Sequence, residues 1–383
     1  MHTETRWGLR SAFALLVLTL AGAGVATAAE RTRELIREFP ATAGPLRLGN
    51  LMGHARLVQG SGVAVRVVAT VHADGGTPAR TQALLQSIRW AEERHDGYPE
   101  WVLTYPVDEE QRYRSLEGSG WGTTLTRYRG RRVRIGGWAS GAPLLYVDLR
   151  IEVPAGASLG LKNRLGRIDA QGVDADLILD TNSGDVAVAD HTGSLGIDTG
   201  SGTIAVSSVL GDVNLDTGSG EIRLQGARGS VDLDTGSGDV TATDVDGSRI
   251  HADTGSGRIV VRRSRARELE ADTGSGDVLL EDVDAESFLV DTGSGSVTLT
   301  SPLQRARVVD VDTGSGDVVI RTAAAAAFHL TADQGSGDLR SGFADAHPIA
   351  EGRTVIGYER GDGRTRIRVD TGSGDCVIEP AGS

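Results

Sequence analysis

The sequence predicts an all-β protein: a single-chain parallel β-solenoid with about 18–21 residues per coil, plus a small insertion containing one helix. Three observations predict this fold: a recurring pentapeptide, apolar columns on both sides of it, and a repeat too short for a pair of helices. Complete copies of Asp-Thr-Gly-Ser-Gly begin at Asp198, Asp216, Asp234, Asp253, Asp272, Asp291, Asp312 and Asp370, and near-copies begin at Asp180 and Asp333.

The spacing of the motif sets the length of the coil. From Asp180 onward the steps are 18, 18, 18, 19, 19, 19, 21, 21 and 37 residues. The last step is about two periods and contains a second insertion, residues 341–363, which we predict to be a hairpin or loop. We expect parallel stacking from about Leu161 to Ile378, with the turns aligned on one edge.

Apolar residues alternate with polar residues on both sides of each motif, which predicts two short strands per coil with one face buried. One column lies three residues before each Asp and two more follow the motif. The first column is Leu177, Leu195, Val213, Val231, Ile250, Leu269, Phe288, Val309, Leu330 and Ile367. The second is Val186, Ile204, Ile222, Val240, Ile259, Val278, Val297, Val318 and Leu339, and the third is Val188, Val206, Leu224, Val261, Leu280, Leu299 and Ile320.

The motif itself is typical of a tight turn. Both glycines can adopt positive φ, the Asp can accept hydrogen bonds from amides two or three residues on, and the hydroxyls can form ladders between coils. Stacked aspartates repel, but two charges about 4.8 Å apart in water cost only about 1 kcal/mol or less. The column of aspartates therefore does not require a bound cation.

The chain divides into four predicted regions: 1–29, a signal peptide; 30–71, an N-terminal β segment; 72–143, an insertion with a helix and a hairpin; and 144–383, the solenoid repeat. Arg6 and Arg10, the apolar run 12–20 and the small residues 26–29 have the order of a secretory signal peptide, so export to the periplasm or cell exterior is expected. Within the insertion, apolar spacing predicts a helix over Pro78–Arg94. No later apolar run is long enough to cross a membrane, so we expect no membrane insertion of the mature chain.

Charge differs between the two parts of the mature chain. Residues 30–150 contain 17 Arg against 13 Asp and Glu, a net charge of +4, whereas residues 151–383 contain 20 Lys and Arg against 38 Asp and Glu, a net charge of −18. An acidic repeat argues against nucleic acid and anionic membranes as its partners. The single cysteine, Cys376, falls in the inward column and is expected to be buried, and no disulfide within the chain is possible.

Several segments together resemble a known bacterial family. They are an opening Leu46-Arg47-Leu48 unit, the step Ile151–Gly156, the serial Thr-Gly-Ser-Gly-Asp units, and a closing Gly-Asp-Gly followed by Val-Asp-Thr-Gly-Ser-Gly-Asp. In these features the chain resembles the bacterial putative-adhesin domain family, a domain of unknown function, over roughly residues 40–380. The resemblance implies a β-solenoid of the bacterial envelope and supplies no catalytic residue.

Catalytic readings of the motif have little support from the sequence. Asp-Thr-Gly also occurs in aspartic proteases, which need two facing carboxylates, whereas here it is stacked in one orientation. The serines lack a nucleophile elbow, and a pectin-lyase type of polysaccharide-active β-helix needs longer coils and a cleft. His54, His72, His95, His191, His251, His329 and His347 show no paired spacing for zinc. We therefore expect no enzyme activity, no cofactor, and no catalytic, cofactor-binding or metal-binding residue.

Calcium binding is the main alternative. Calcium-binding β-rolls place an Asp at a set position after a glycine-rich turn. Here an acid follows the motif directly at Asp185, Asp239, Asp277, Asp317, Asp338 and Asp375, one position off, and opposite turns carry acids only sporadically, as at Asp244, Asp246, Asp282 and Asp284. The calcium roll stays open as an alternative, as does the polysaccharide-active enzyme.

The sequence favours a non-enzymatic envelope scaffold or adhesion-like protein that binds an unidentified envelope protein or glycan. Repeated polar columns such as Asp216, Asp234 and Asp253 offer multivalent contact with a repetitive or basic ligand. A second candidate contact, for an acidic partner, is the arginine-rich stretch 112–134, against the simpler reading of a solvated hairpin. Its members are Arg112, Arg114, Arg127, Arg129, Arg131, Arg132 and Arg134.

Overall fold

The computed structural model describes residues 30–40, 45–95, 98–114, 123–136 and 141–382. The predicted signal peptide, residues 1–29, lies outside them. The N-terminal third combines strands with one helix: β1 Arg31–Pro40, β2 Leu46–Met52, β3 Ala55–Gln59, β4 Ala64–Asp74, α1 Pro78–Ser87, β5 Arg89–His95, β6 Tyr98–Thr104, β7 Arg112–Tyr113, β8 Thr123–Tyr128, β9 Arg131–Gly136 and β10 Leu144–Val153.

The remaining strands are short and follow one another through tight turns. They are β11 Ala157–Leu165, β12 Ile168–Gln171, β13 Ala175–Thr181, β14 Val186–Thr192, β15 Leu195–Thr199, β16 Ile204–Leu210, β17 Val213–Thr217, β18 Ile222–Arg228, β19 Val231–Thr235, β20 Val240–Asp246, β21 Arg249–Thr254, β22 Ile259–Arg262, β23 Glu268–Thr273, β24 Val278–Glu281, β25 Ser287–Thr292, β26 Val297–Thr300, β27 Val308–Thr313, β28 Val318–Thr322, β29 Phe328–Gln334, β30 Leu339–Ser341, β31 His347–Glu351, β32 Thr354–Arg360, β33 Thr365–Thr371 and β34 Cys376–Pro380.

Each coil gives one strand to each of two long sheets, so the protein is a parallel β-solenoid, as the sequence predicts. The sheet that contains the Asp-Thr of each motif, here the motif sheet, runs β31-β32-β29-β33-β27-β25-β23-β21-β19-β17-β15-β13-β11-β2-β6-β5. The opposite sheet, here the companion sheet, runs β1-β4-β10-β3-β12-β14-β16-β18-β20-β22-β24-β26-β28-β34-β30. A third, small sheet has the order β7-β9-β8.

The predicted apolar columns form the interior. In the companion sheet Ile222, Val240 and Ile259 are direct neighbours in register, and all three are completely buried. In the motif sheet Leu269, Phe288 and Val309 stack in the same way. Period-two alternation thus correctly assigned the inward residues, although Leu339, on the short edge strand β30, is only partly buried.

The Leu46–Leu57 segment is a coil of the solenoid rather than a separate N-terminal element. Strand β2 pairs in parallel with β11, and β3 pairs in parallel with β12. Asn50 and Asn163 are buried at this step, and Asn50 Nδ2 donates to Asn163 Oδ1 at 2.9 Å. Parallel stacking therefore starts earlier than the expected Leu161.

The predicted helix over Pro78–Arg94 is too long. It begins at Pro78, after the N-cap residue Thr77, whose hydroxyl accepts a hydrogen bond from the Arg80 amide, and it ends at Ser87. Residue Ile88 is extended, and β5 then pairs antiparallel with β6, with Trp90 opposite Leu103. The apolar spacing over 83–91 is compatible with a helix. From Arg89 onward, however, pairing of β5 with β6 stabilises a strand instead.

The coils do not stack in sequence order at the C-terminal end. Strand β33 lies between β27 and β29 in the motif sheet, and β34 lies between β28 and β30 in the companion sheet. The chain thus leaves one coil position empty after β28, forms the outer coil β29–β30, and returns through the hairpin β31–β32 to fill the gap. That hairpin matches the prediction for residues 341–363, and it pairs antiparallel with β29.

Candidate functional site

In six of the motifs the threonine, not the aspartate, makes the hydrogen bonds of the turn. Thr254 is buried, and its hydroxyl donates to Gly238 O of the preceding coil at 2.8 Å. The same oxygen accepts from the Gly257 amide three residues on, at 3.1 Å. Thr235, Thr273, Thr292, Thr313 and Thr371 repeat this pair of bonds. The expectation that the Asp would bond the turn amides was wrong, because the Thr side chain points inward and reaches them first.

We expect Thr254→Val to destabilise the fold, because it leaves the Gly238 carbonyl and the Gly257 amide unpaired. Each orphaned buried group costs about 1–3 kcal/mol. Thr254→Ser keeps the hydroxyl and removes only a methyl group, worth about 1 kcal/mol. Urea denaturation of both variants measures the difference, and a Val variant as stable as the Ser variant would contradict the assignment.

The second glycine of each motif is required by close approach between coils. A Cβ on Gly276 would lie 1.7 Å from the carbonyl oxygen of Gly257, the matching glycine of the preceding coil. Only Gly184 and Gly202, among these second glycines, have φ in the positive range that favours glycine. The expected requirement for glycine, a positive φ, therefore applies only in the first two motif coils. In the other coils glycine is required because a Cβ would collide with the preceding coil.

With the turn bonded through threonine, the motif aspartates form a ladder of carboxylates on the outer side of the motif sheet. Their backbones are in register from strand to strand in the order Asp180, Asp198, Asp216, Asp234, Asp253, Asp272, Asp291, Asp312, Asp370 and Asp333. Lys162 stands in register with Asp180 at the N-terminal end, with Nζ 3.7 Å from Oδ2. We call this column the aspartate ladder.

Five of the ladder carboxyls hold their protons more tightly than free aspartates do. Partial burial, and then the negative charge of neighbouring rungs, raises the pKa of all five above the ordinary value: Asp198, Asp216, Asp253, Asp291 and Asp312. The ionised ladder is therefore electrostatically strained at neutral pH, and a positively charged ligand would relieve that strain.

We expect Asp216→Asn to stabilise the protein at neutral pH by up to about 1 kcal/mol. The substitution removes the repulsion between Asp216 and each of its two neighbours in the ladder, about 4.8 Å away through water. A carboxyl with a raised folded-state pKa costs stability above that pKa, and the cost disappears as the pH falls through it. The gain should therefore vanish below the ordinary pKa of 3.8.

Asp244→Asn is the control for this pH dependence. Arg263 lowers the pKa of Asp244, so Asp244 adds stability above the ordinary pKa and loses it as the pH falls through the lowered one. Its replacement should destabilise the protein at neutral pH and have little effect in acid. Thermal melts of both variants across pH measure the change in stability relative to the wild type. If both substitutions change stability at neutral pH in the same direction, repulsion within the ladder is contradicted.

A second set of aspartates, directly after the motif, is used for coil-to-coil hydrogen bonds. The carboxylate of Asp239 accepts from the Arg258 amide of the next coil at 2.9 Å, and that of Asp277 accepts from the Ser296 amide at 3.0 Å. Asp185, Asp317 and Asp375 make the equivalent bond. These are five of the six post-motif aspartates on which the calcium alternative relies, and one oxygen of each already accepts from a backbone amide.

The opposite edge of the solenoid carries ion pairs between acids and arginines. The Asp244 carboxylate accepts two hydrogen bonds from Arg263, at 2.9 and 3.0 Å. Asp284 lies within 3.4 Å of Arg265 and 3.6 Å of Arg305. Among the described residues, no group of three or more His, Cys, Asp or Glu side chains is arranged to hold a metal ion.

The remaining candidate residues are separate from one another. His251 lies between Asp232 and Glu270, and His72 stacks on Tyr146. His191 is buried in the interior, where desolvation lowers its pKa. Cys376 is buried as expected, and burial raises the pKa of its thiol to about 12. The described part of the chain also has no helix of the length and apolarity that a membrane span requires.

The arginine-rich stretch separates into two groups. Arg114, Arg129 and Arg131 form ion pairs with Asp74, Glu93 and Asp108 at 2.6, 2.5 and 2.8 Å. The other four arginines lie on the exposed face of the small sheet: Arg112, Arg127, Arg132 and Arg134. We call these four the basic face.

In a comparison with known proteins, one family model matches part of the repeat. Residues 210–379 match the family model described as Toastrack DUF4097. The Toastrack match covers most of the solenoid coils, and the family is a domain of unknown function. No curated protein matches the chain.

Two solved structures are distantly similar. One is a putative cell adhesion protein from Clostridium sporogenes, with 11% identity, 92% of this chain and 100% of that chain covered, and a TM-score of 0.21. The other is a putative lipid binding protein from Parabacteroides distasonis, with 12% identity, coverage of 93% and 98%, and a TM-score of 0.35. At these TM-scores neither structure carries an argument about fold or function.

Proposed function

We propose that this protein is a non-enzymatic binding scaffold of the bacterial envelope, and that the aspartate ladder is its contact surface. The observation that carries the proposal is the in-register column of ten carboxylates, in which partial burial and mutual repulsion raise the pKa of five members. A ligand with repeated positive charges gains many weak contacts at a fixed spacing of about 4.8 Å.

The turn chemistry supports a binding role over a catalytic one. The Thr, the second Gly and the Asp that follows the motif each have a structural task, as Thr254, Gly257 and Asp239 illustrate. The ladder carboxylates point the same way from parallel strands, so neighbouring rungs do not face each other as an aspartic protease pair does.

Binding of oligolysines of increasing length to residues 30–383 tests the proposal. We expect affinity to rise steeply with ligand length, and to fall at least tenfold in Asp216→Asn/Asp234→Asn/Asp253→Asn. The matched control is Glu34→Gln/Glu38→Gln/Glu351→Gln, which removes the same charge from exposed acids elsewhere. Equal losses in the two triple variants would show that only net charge acts, and would reject the ladder as the site.

Calcium dependence is a separate test of the main alternative. The scaffold proposal expects the melting temperature to be indifferent to a chelator and to millimolar calcium, because backbone amides or arginines already occupy most of the candidate carboxylates. Loss of β-sheet circular dichroism in chelator would favour the calcium roll instead.

Export is part of the proposal and rests on the sequence of residues 1–29. Expression of the full chain in a bacterium, followed by N-terminal sequencing of the fractionated product, checks it. We expect a product cleaved after Ala28 or Ala29 in the envelope or medium. An uncleaved cytoplasmic product would reject this part.

A further inference from the structure

The basic face is a cluster of like charges that the fold does not use. In the small sheet Arg112 stands opposite Arg134, and Arg127 stands opposite Arg132. Like charges directly across a strand pair are unfavourable. All four side chains are exposed, and none forms an ion pair within the part of the chain that the structure describes. Their arrangement therefore calls for a partner outside this molecule.

The opposite side of the small sheet fixes that face to the body of the protein. Tyr113, Val133 and Tyr128 are buried beneath it, and the Tyr128 hydroxyl donates to Leu103 O at 2.5 Å. Asn182 Nδ2 also reaches Thr126 Oγ1 at 3.4 Å, which places β8 beside the coil of Asp180. The four arginines are thus presented by a rigid sheet rather than by a loop.

A complementary surface exists on the same chain, toward the other end of the solenoid. Four ladder-side acids line a shallow depression on the motif sheet and form no ion pair within the described residues: Asp272, Asp291, Asp310 and Asp312. Arg368 and the exposed Leu289 also line it, and Arg368 lies 3.6 Å from Asp370. We call the four acids the acidic depression.

The two surfaces share one geometry, because both are faces of β-sheets. Neighbouring strands lie about 4.8 Å apart, and alternate residues of a strand lie about 6.8 Å apart on one face. Arg132 and Arg134 are alternate residues of β9, just as Asp310 and Asp312 are alternate residues of β27. Across strands, Arg112 beside Arg134 matches the spacing of Asp291 beside Asp312.

The contact cannot form within one molecule. The small sheet sits beside the coil of Asp180, and the coil of Asp291 lies six coils further along the stack. At about 4.8 Å per coil, the two surfaces are separated by roughly 29 Å.

We propose that the basic face binds the acidic depression of a second copy of this chain, so that copies join head to tail. The contact uses different surfaces on the two partners, and such heterologous contacts repeat into open chains. An anionic membrane would also attract the basic face, but residues 151–383, with a net charge of −18, would be repelled alongside it. A second copy supplies the opposite charge without that repulsion. The inference rests on the proposed function only in treating the ladder side of the motif sheet as a contact surface.

Sedimentation velocity of residues 30–383 at low and physiological ionic strength tests the proposal. We expect concentration-dependent self-association at about 0.01 M salt that weakens at least tenfold at about 0.15 M, where the screening length shortens from about 30 to about 8 Å. Arg132→Glu/Arg134→Glu and, separately, Asp291→Arg/Asp312→Arg should each be monomeric. Arg31→Glu/Arg353→Glu is the charge-matched control for the first variant and should associate like the wild type.

Mixing the two reversed variants gives the sharper result. The arginine variant retains an intact acidic depression, the aspartate variant retains an intact basic face, and the two reversed surfaces are opposite in charge, so the mixture should recover association that neither variant shows alone. A monomeric wild type at low salt, or equal association of all variants, would overturn the proposal. Binding to phosphatidylglycerol vesicles that is lost in the arginine variant, without self-association, would assign the face to a membrane instead. Oligolysine binding that survives in any of these outcomes leaves the proposed function standing.

Discussion

Replacing Gly276 with alanine should destabilise the protein by roughly 3 kcal/mol or more, at the upper end of what overpacking does in a core. The added methyl group would lie 1.7 Å from Gly257 O and 2.5 Å from Gly257 C. Both are backbone atoms of the preceding coil, so no side chain can rotate away. The two coils would have to separate, and the hydrogen bonds on both sides of the turn would lengthen with them.

Gly196→Ala, on strand β15 in another coil, is the control. A Cβ there would meet nothing closer than 3.9 Å, at Ile178 Cγ1 and Leu177 O. Because alanine restricts the unfolded chain more than glycine does, this variant should be neutral or stabilised by about 0.4–1 kcal/mol. Guanidinium unfolding of the two variants gives the comparison. If Gly276→Ala is as stable as Gly196→Ala, the coils are not as closely stacked as the structure has them.

Val240→Asp should cost several kcal/mol at neutral pH, because it places a carboxylate among apolar side chains with no partner. Val240 is completely buried between Ile222 and Ile259 of the adjacent coils. Protonation of the new carboxyl removes part of the penalty, so the variant should recover some stability relative to the wild type as the pH falls.

Thr241→Asp is the control at the next position along the chain. Thr241 points to the outer face of the companion sheet, where Arg223 stands beside it in the neighbouring coil. An aspartate there remains in contact with water and lies near a positive charge, so stability should change by less than about 0.5 kcal/mol. Equal costs for the two substitutions, measured by thermal melts, would mean that the inward and outward faces are wrongly assigned.

The regular part of the fold was predictable because one pattern determines several features at once. The Asp-Thr-Gly-Ser-Gly period sets the length of a coil, and the alternation around it sets which side chains are inside, as the buried Val240 and Ile259 confirm. The hydrogen bonds inside the turn were harder to predict from the sequence. The alternation places Thr254 inward, four residues after Ile250, but it does not say which amide and carbonyl the hydroxyl bonds.

Features that depend on contacts between distant segments were not predictable from local patterns. Apolar spacing over 83–91 fits a helix, and only the pairing of β5 with β6 shows where the helix ends. The arginine-rich stretch was a candidate contact from its composition alone. Alternation at Arg132 and Arg134 signals a common face on one strand, but the pairing with Arg112 and Arg127 had to come from the structure.

The coil formed by β33 and β34 lies between two coils that precede it in the sequence. This arrangement constrains the order in which the coils assemble and the places where a repeat can be added. Cys376 lies in register with Val318, 58 residues before it, and with Leu339, 37 residues before it. The strand edges on both sides of this gap stay unpaired until residues 365–380 are available, so β33 and β34 insert between coils that come earlier in the sequence. A repeat duplicated after Pro380 would begin at β34, which already has a neighbouring strand on each side, β28 and β30. New coils are therefore more readily gained within residues 175–300, where successive coils are direct neighbours.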